Sequence, residues 1–149
     1  MIVINLSVAF KGIGNSSNKL VSTFDGDKLF LTNSYGGLQR DIAEIHQNYE
    51  VVYMFGLDKK LKGSIRIERC AIRDCEIISS ELDLDAFTCS LNDTGLIANI
   101  GAHPRQSLCN DAYWHMLKKF NGRVVFFHIP SVKYLTEDFI ANITKALFS

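Results

Sequence analysis

Short apolar runs alternate along the chain with segments whose apolar residues recur every three or four positions. Continuous apolar runs are typical of strands covered on both faces, and the longer spacing is typical of amphipathic helices. Strands are predicted at residues 2–10, 28–32, 50–55 (ended by Gly56), 64–72, 76–79, 96–100 and 123–129. Helices are predicted at 18–24, from a cap at Asn33 or Ser34 to about 48, at 80–91, at 110–120, and after a cap at Thr136.

This alternation of strands and helices predicts an α/β layered domain with a mostly parallel central sheet. The chain has 149 residues, about the length of one domain. It has only two prolines and no repeat or linker-like stretch, so we expect a single domain over residues 1–149.

Composition excludes several classes of protein. Apolar residues make up 47% of the chain, and 16 basic residues balance 16 acidic ones. A disordered tail would need low hydrophobicity and a high net charge, and a nucleic-acid-binding protein would need a basic surplus. No run reaches the roughly 18 apolar residues of a membrane span, so we expect no membrane or nucleic-acid partner.

The cysteines and the first residues both favour a cytoplasmic protein. The segment MIVINLSVAF lacks the basic start of a signal peptide, and a buried strand explains it better. The four cysteines, Cys70, Cys75, Cys89 and Cys109, have spacings that match no zinc-binding pattern. We therefore expect free thiols and no metal.

Three residues suggest nucleophilic chemistry. Cys109 lies where a loop leads into a helix, whose N-terminus can lower a thiol pKa, and that loop can direct backbone N–H groups at an oxyanion. His128 ends a strand, where ligands of parallel sheets gather, and Glu68 is a carboxylate able to orient an imidazole. Taken singly, each residue also fits a structural role: a packing cysteine, a rim histidine, and a glutamate paired with Arg66 or Arg69.

The sequences around these residues resemble the type I pyroglutamyl peptidases, also called pyrrolidone carboxyl peptidases. LCNDAYWHMLKKF and RVVFFHIP are similar to the family's cysteine and histidine blocks, and SIRIERCAI is similar to its E-R-x-A block. The N-terminal strand with FKGIGNSSN resembles a further block less closely. The matching positions are Glu68, Arg69, Ala71, Cys109, Asn110, Tyr113, His128, Ile129 and Pro130.

The resemblance implies a three-layer α/β/α sandwich and a thiol exopeptidase that removes an N-terminal pyroglutamyl residue through an acyl-enzyme. It makes Cys109 the nucleophile, His128 the general base and acid, and Glu68 the residue that orients His128. It implies a peptide or small amide substrate, no cofactor, and possible homo-oligomers. An apolar substrate pocket is expected from Phe10, Ile13, Leu57 and Leu108.

Two other hypotheses come from differences between this chain and the family pattern, and from the glycine-containing loop GIGNSSNK. The chain is a shortened and divergent member: its Glu-to-Cys and Cys-to-His intervals are contracted, and Leu57 stands at the family's glutamine. It could therefore be a catalytically silent relative that binds a small ligand or a protein. A third hypothesis is a nucleotide-binding domain using GIGNSSNK, although this loop lacks the GK[ST] ending of a P-loop.

Overall fold

The computed structural model describes residues 4–148, which form eight strands and five α-helices. The strands are β1 Asn5–Phe10, β2 Asp27–Leu31, β3 Val51–Leu57, β4 Ser64–Glu68, β5 Cys70–Arg73, β6 Glu76–Ser79, β7 Ile97–Gly101 and β8 Val124–Ile129. The helices are α1 Ser16–Ser22, α2 Tyr35–Ala43, α3 Leu84–Asp93, α4 Leu108–Lys119 and α5 Glu137–Phe148. Residues 2 and 3 of the predicted first strand lie outside the described residues.

Six strands form a mixed, mostly parallel sheet in the order β2-β1-β3-β8-β4-β7. Strands β1, β2, β3 and β8 run parallel, β4 is antiparallel to β8, and β7 is parallel to β4. Strands β5 and β6 form a separate antiparallel hairpin. The predicted α/β class and mostly parallel sheet are confirmed.

Helices cover both faces of the sheet, so the molecule has three layers. On one face, α1, α3 and α5 bury apolar residues such as Leu20, Leu91 and Ile143 against the sheet. On the other face, α2 and α4 do the same with residues such as Leu38 and Met116. The α/β/α sandwich expected from the resemblance is therefore confirmed.

The predicted strand 64–72 is wrong as a single element, because the chain leaves the main sheet after Glu68. Residues after Arg69 form β5, which pairs with β6 and packs on α4. The Asn110 side chain accepts from the Ile72 N–H (2.9 Å) and donates to its carbonyl (2.7 Å), tying β5 to α4. Alternating polarity identifies an extended segment but does not determine its partner strand, so the pattern missed the break.

Several element boundaries also differ from the predictions. Strand β3 continues through Gly56, which pairs in register with His128, so Gly56 does not end it. Helix α2 ends at Ala43 because a turn from the Ile45 N–H to the Ile42 carbonyl redirects the chain. The predicted caps Ser34 and Thr136 are confirmed, since their hydroxyl oxygens accept first-turn backbone N–H groups.

Helix α3 begins later than predicted. Asp83 caps it by accepting from the Ala86 N–H at 3.1 Å. Ser80, at the predicted start, instead donates its hydroxyl to the Val124 carbonyl at 2.6 Å. A serine hydroxyl near a helix start can cap the helix or bond to another backbone group. Here the neighbouring strand β8 supplies that other group, and the sequence around Ser80 does not show it.

All four cysteines are free thiols, as predicted. Over residues 4–148, no helix is long and apolar enough to cross a bilayer.

Candidate active site

The sheet register brings the candidate histidine and its polar neighbours to one face of adjacent strands. Arg66 on β4 is the register partner of His128 on β8, and Glu68 is the partner of Phe126. Side chains two residues apart on a strand point to the same face, and cross-strand partners do so too. Arg66, Glu68, Phe126 and His128 therefore form a cluster that the backbone pairing itself imposes.

Glu68 and His128 form the central contact of this cluster. The Nδ1 atom of His128 lies 3.2 Å from Oε2 of Glu68, and both side chains are about 15% exposed. A neutral imidazole that donates Nδ1–H to a carboxylate keeps the lone pair of Nε2 free to accept a proton. This contact gives Glu68 the geometry of a residue that orients a general base.

Cys109 reaches the same place from α4, where it is the second residue. Ser107 caps this helix, accepting from the Asn110 N–H at 3.1 Å, so Cys109 lies in the first turn. A Cβ atom placed on Gly56 would lie 2.9 Å from Sγ of Cys109. The thiol therefore packs directly over Gly56, the β3 partner of His128, in space that only a glycine leaves open.

Two further residues of α4 attach this helix to the site. The Tyr113 hydroxyl donates to the backbone carbonyl of Glu68 at 2.8 Å. Asn110 makes the two bonds to Ile72 described above. Both residues belong to the block that carries the family resemblance, and here they fix the position of Cys109 relative to the strand that bears Glu68.

A cavity of about 510 Å³ contains Glu68, Cys109 and His128 in its lining. Its remaining walls come mainly from the end of β3, from Gly101 at the end of β7, and from the loop 102–107 between β7 and α4. A volume of this size suits a small ligand or one end of a peptide. The structure thus brings together the three predicted catalytic residues, which are far apart in sequence.

The four predicted pocket residues are distributed differently. Leu57 lines the cavity, whereas Phe10 is buried in the core beneath α2 and α4. Leu108 packs against the same core, and Ile13 is fully exposed in the loop after β1. The structure therefore does not bring Phe10, Ile13 and Leu108 into the cavity lining, and their role in substrate binding stays a prediction.

Electrostatics at Cys109 differ from the expectation of a lowered thiol pKa. Burial raises the pKa of Cys109 to about 12, and the carboxylates of Glu68 and Asp58 add to the increase. The positive end of a helix is a weaker influence than removal of the thiolate from water beside two negative charges. At neutral pH the resting residue is therefore a neutral thiol.

The carboxylates themselves are held in their charged form. Burial alone would raise the pKa of Glu68, but its contacts with His128 and Arg66 outweigh burial and lower it. For Asp58, burial is likewise outweighed by the Lys60 N–H, Arg66 and His128, and the pKa is lowered. Both groups therefore carry full negative charge at neutral pH.

Sequence reasoning missed four residues that shape this site. The sequence predicts Arg66 only as a surface partner of Glu68, but it lines the cavity and contacts His128 as well. Asp58 forms an ion pair with Arg66 at 2.9 Å. Gly56 and Gly101 leave room for neighbours: a Cβ on Gly101 would lie 2.7 Å from Oε1 of Glu68. The sequence did contain one signal for Arg66: it lies two residues from Glu68 on a predicted strand, so both side chains point to the same face.

The structure gives little support to a nucleotide at the GIGNSSNK loop. Helix α1, which follows it, has seven residues. Asn15 accepts from the N–H and from the hydroxyl of Ser17, and that hydroxyl also accepts from the Phe10 N–H. The backbone N–H groups of Phe10 and Ser17 therefore already have hydrogen-bond partners within the protein. Within residues 4–148, no group of three or more histidine, cysteine, aspartate or glutamate side chains is arranged to hold a metal ion.

Comparison with known proteins agrees with this architecture. No family model and no curated sequence matches the chain. Among solved structures, pyrrolidone carboxyl peptidase from Thermococcus litoralis superposes with a TM-score of 0.76 at 20% identity, covering 97% of this chain and 91% of that one. Pyroglutamyl peptidase I from Bacillus amyloliquefaciens gives 0.76 at 16% identity, with 99% and 96% covered.

A third neighbour is the pyrrolidone carboxyl peptidase of Fervidobacterium islandicum, with a TM-score of 0.74, 18% identity, and 87% and 81% of the two chains covered. At these identities the likeness establishes the fold. Which chemistry the fold performs here depends on the site residues described above.

Proposed function

We propose that this protein is a cysteine hydrolase of the pyroglutamyl-peptidase type, which removes an N-terminal pyroglutamyl or related residue from a peptide or small amide. One observation carries the proposal: a carboxylate-oriented histidine and a helix-terminal cysteine share one cavity on the same face of the sheet. The fold shared with pyrrolidone carboxyl peptidases supports the choice of substrate class.

In the proposed reaction, Sγ of Cys109 attacks the substrate carbonyl carbon while Nε2 of His128 takes the thiol proton. The imidazolium then returns that proton to the leaving amine, and the C–N bond breaks to give a thioester. Water, deprotonated by His128, hydrolyses the thioester and regenerates the thiol. No redox step or cofactor is needed, because each proton removed is returned within the cycle.

The raised thiol pKa determines when the proton moves. Because the pKa of Cys109 is about 12, the thiol stays protonated until a substrate is attacked. Proton transfer and bond formation then occur together, and the negative charge of Glu68 stabilises the imidazolium that forms. This is general-base catalysis of the kind found with hydroxyl nucleophiles, rather than a preformed thiolate–imidazolium pair.

The N-terminus of α4 can stabilise the oxyanion of the tetrahedral intermediate. The first N–H groups of a helix have no partner within that helix, and Cys109 belongs to the first turn. A backbone N–H directed at the developing charge typically contributes on the order of 10²–10³ in rate. The loop 102–107, which lines the cavity, is the second source of such donors.

Hydrolysis of a fluorogenic pyroglutamyl amide under reducing conditions tests this proposal. Wild type should turn over the substrate, and Cys109→Ala should abolish turnover. Cys89→Ala, at an exposed cysteine outside the cavity, is the matched control and should retain wild-type rates. An alanyl amide run in parallel tests whether the cyclic residue is selected. Turnover that survives Cys109→Ala would refute the mechanism.

A second candidate is a catalytically silent relative that binds a small ligand or a protein. It is favoured by Arg66, whose Nη2 lies 3.3 Å from Nδ1 of His128 and competes with Glu68 for that nitrogen. For this candidate, wild type would show no turnover, and a pyroglutamyl peptide would still raise the melting temperature. Loss of that thermal shift in Leu57→Asp would place the binding in the same cavity.

A further inference from the structure

We propose that Asp58 is a positioning residue: it holds the Arg66 guanidinium so that His128 keeps its proton on Nδ1 and its lone pair on Nε2. The inference deepens the proposed function, on which its catalytic consequence rests. Asp58 touches neither His128 nor Cys109 by hydrogen bond, and it acts through Arg66.

Nitrogen Nδ1 of His128 has two competing neighbours at nearly equal distance. Oε2 of Glu68 lies 3.2 Å away and Nη2 of Arg66 lies 3.3 Å away. A carboxylate can only accept a hydrogen bond and a guanidinium can only donate one. If Nδ1 donates to Glu68, Nε2 is a base; if Nδ1 accepts from Arg66, the proton sits on Nε2 and the base is lost.

The sheet register makes this competition unavoidable. Arg66 and His128 are direct cross-strand partners, so backbone pairing keeps their side chains adjacent regardless of the charge on either side chain. The orientation of the guanidinium must therefore be set by its other contacts. Nε of Arg66 donates to Glu68 at 3.0 and 3.2 Å, and Nη2 donates to Oδ2 of Asp58 at 2.9 Å.

Asp58 is itself fixed in place. It directly follows β3, and its N–H bonds to the carbonyl of Ile129 at 2.9 Å. Its Oδ1 accepts from the Lys60 N–H at 2.9 Å, which leaves Oδ2 for Arg66. The side chain is 20% exposed, so the ion pair is only partly screened by water. The 2.9 Å contact uses one of the two hydrogens on Nη2 and fixes the direction of the guanidinium, which keeps Arg66 from turning further toward His128.

A second cluster in the same molecule contains an arginine with no buried carboxylate partner, which lies instead over the Trp114 ring, 5.5 Å from the ring centroid. On α4, His115 has Asp111 one turn away and Arg73 of β5 beside it; we call these three residues the α4 surface cluster. The only ion-pair partner of Arg73 among the described residues is Asp74, at 4.0 Å and 95% exposed. Nη1 of Arg73 lies 2.7 Å from Nε2 of His115, whereas the Asp111 carboxylate is 3.6 Å away.

The two clusters therefore differ in which neighbour is close to the histidine. Arg73, which has no buried carboxylate partner, approaches its histidine more closely than Asp111 does, and Oδ2 of Asp111 accepts from Gln39 at 3.0 Å. The anchored Arg66 stays no closer than the carboxylate. We infer that releasing Arg66 from Asp58 would let it take the place at His128 that Arg73 occupies at His115.

The test reads the tautomer of His128 directly, without relying on activity. Protein labelled with ¹⁵N-histidine is studied by long-range ¹H–¹⁵N correlation at about pH 9, well above the ordinary histidine pKa of about 6.5. His128→Gln identifies the His128 signals. Wild type should show the proton on Nδ1, and Asp58→Asn should move a substantial fraction to Nε2. Asn keeps an acceptor for the Lys60 N–H but loses the charge.

A kinetic cycle supplies the second readout. We expect Asp58→Asn to lower kcat about 100-fold with KM nearly unchanged, because the wrong tautomer disables the base but leaves the cavity intact. Arg66→Met should lower kcat only severalfold. The double variant should match Arg66→Met, since Asp58 has no role once the competing donor is gone. Lys59→Ala, next to Asp58 but outside the cavity lining, should behave as wild type.

The outcomes separate this inference from the proposed function. An unchanged tautomer in Asp58→Asn, or a double variant as slow as Asp58→Asn, would overturn the inference even if Cys109-dependent turnover is present. A tautomer change in a protein that hydrolyses no substrate would support the inference while the proposed function fails. If Asp58→Asn does not fold, Asp58→Ser, which keeps an acceptor oxygen for the Lys60 N–H but removes the charge, is read in the same way.

Discussion

The molecule contains two groups of carboxylate, histidine and arginine, and only one of them shares a cavity with a cysteine. The site cluster comprises Glu68, His128, Arg66 and Asp58, and the α4 surface cluster comprises Asp111, His115 and Arg73. Their residue types are nearly the same. A search for residue types alone would therefore find both.

What separates them is the size of the adjoining cavity, the neighbouring donor and the presence of a nucleophile. His128 lines a cavity of about 510 Å³ with Cys109, whereas His115 borders a shallow depression of about 270 Å³ with Lys118 and Lys119. Burial lowers the pKa of His115, and the charges of Arg73 and Lys118 lower it further against the opposite effect of Asp111. The comparison teaches that a carboxylate distinguishes the candidate catalytic histidine by lying close enough to orient it, and not merely by being nearby.

The largest expected effect distinguishes the two histidines directly. His128→Ala should reduce kcat/KM on the pyroglutamyl amide by about 10³-fold or more, because both proton transfers lose their carrier. His115→Ala should leave kcat/KM within about threefold, as surface substitutions usually do. Steady-state kinetics of the two variants, with melting curves to confirm folding, checks this. Equal losses would show that the comparison is mistaken.

Thiol labelling gives the next largest effect. With a pKa of about 12, about one Cys109 thiol in ten thousand is ionised at pH 8, against about a quarter of free thiols with a pKa near 8.5. Iodoacetamide should therefore modify Cys109 about 10³-fold more slowly than a free cysteine, and its rate should still be rising above pH 10. Peptide mass spectrometry resolves each cysteine. Preferential labelling of Cys109 at neutral pH would instead indicate a preformed thiolate.

A substitution at Gly56 tests whether the site depends on the close contact between this glycine and the Cys109 thiol. In Gly56→Ala the new Cβ would meet Phe126 at 2.7 Å and Sγ of Cys109 at 2.9 Å. Displacing the thiol by a fraction of an ångström should cost about 10²-fold in kcat, and the overpacking about 1–3 kcal/mol of stability.

The matched control for this change is Gly36→Ala in α2, where the nearest atom would be Arg40 Nη1 at 3.4 Å. It should keep full activity and gain about 0.5–1 kcal/mol, because alanine favours the helix. Denaturant unfolding measures the change in stability of both variants, and steady-state kinetics measures their activity. If Gly56→Ala were as active as Gly36→Ala, the thiol would not depend on this contact.

The smallest effect concerns acid stability. The folded-state pKa of Glu68 is lowered, so its contribution is fully present above its ordinary value of 4.5 and is lost as the pH falls through the lower folded value. Between pH 6 and pH 3 the free energy of unfolding of wild type should therefore fall more steeply than that of Glu68→Gln, by about 1–2 kcal/mol in total. Urea titrations at several pH values measure this. Parallel curves would mean that Glu68 is not held in its charged form.

The sequence by itself determined the fold class and the identity of the candidate residues. Apolar runs such as that of β8 and the caps Ser34 and Thr136 are local signals, because strand burial and first-turn N–H groups leave their mark within a few residues. Glu68, Cys109 and His128 were identified from their local motifs. These three residues do share one cavity in the structure.

The tertiary structure decided everything that depends on which elements become neighbours. Cys109 approaches Gly56, and Arg66 pairs with His128, although the residues of each pair are far apart in sequence. The end of β4 at Glu68 likewise depends on the partners that the next segment finds. The direction of the Cys109 pKa shift belongs here too, since a helix start is visible in the sequence but burial beside two carboxylates is not. Register, burial and charge proximity are properties of the packed chain, and no local pattern encodes them.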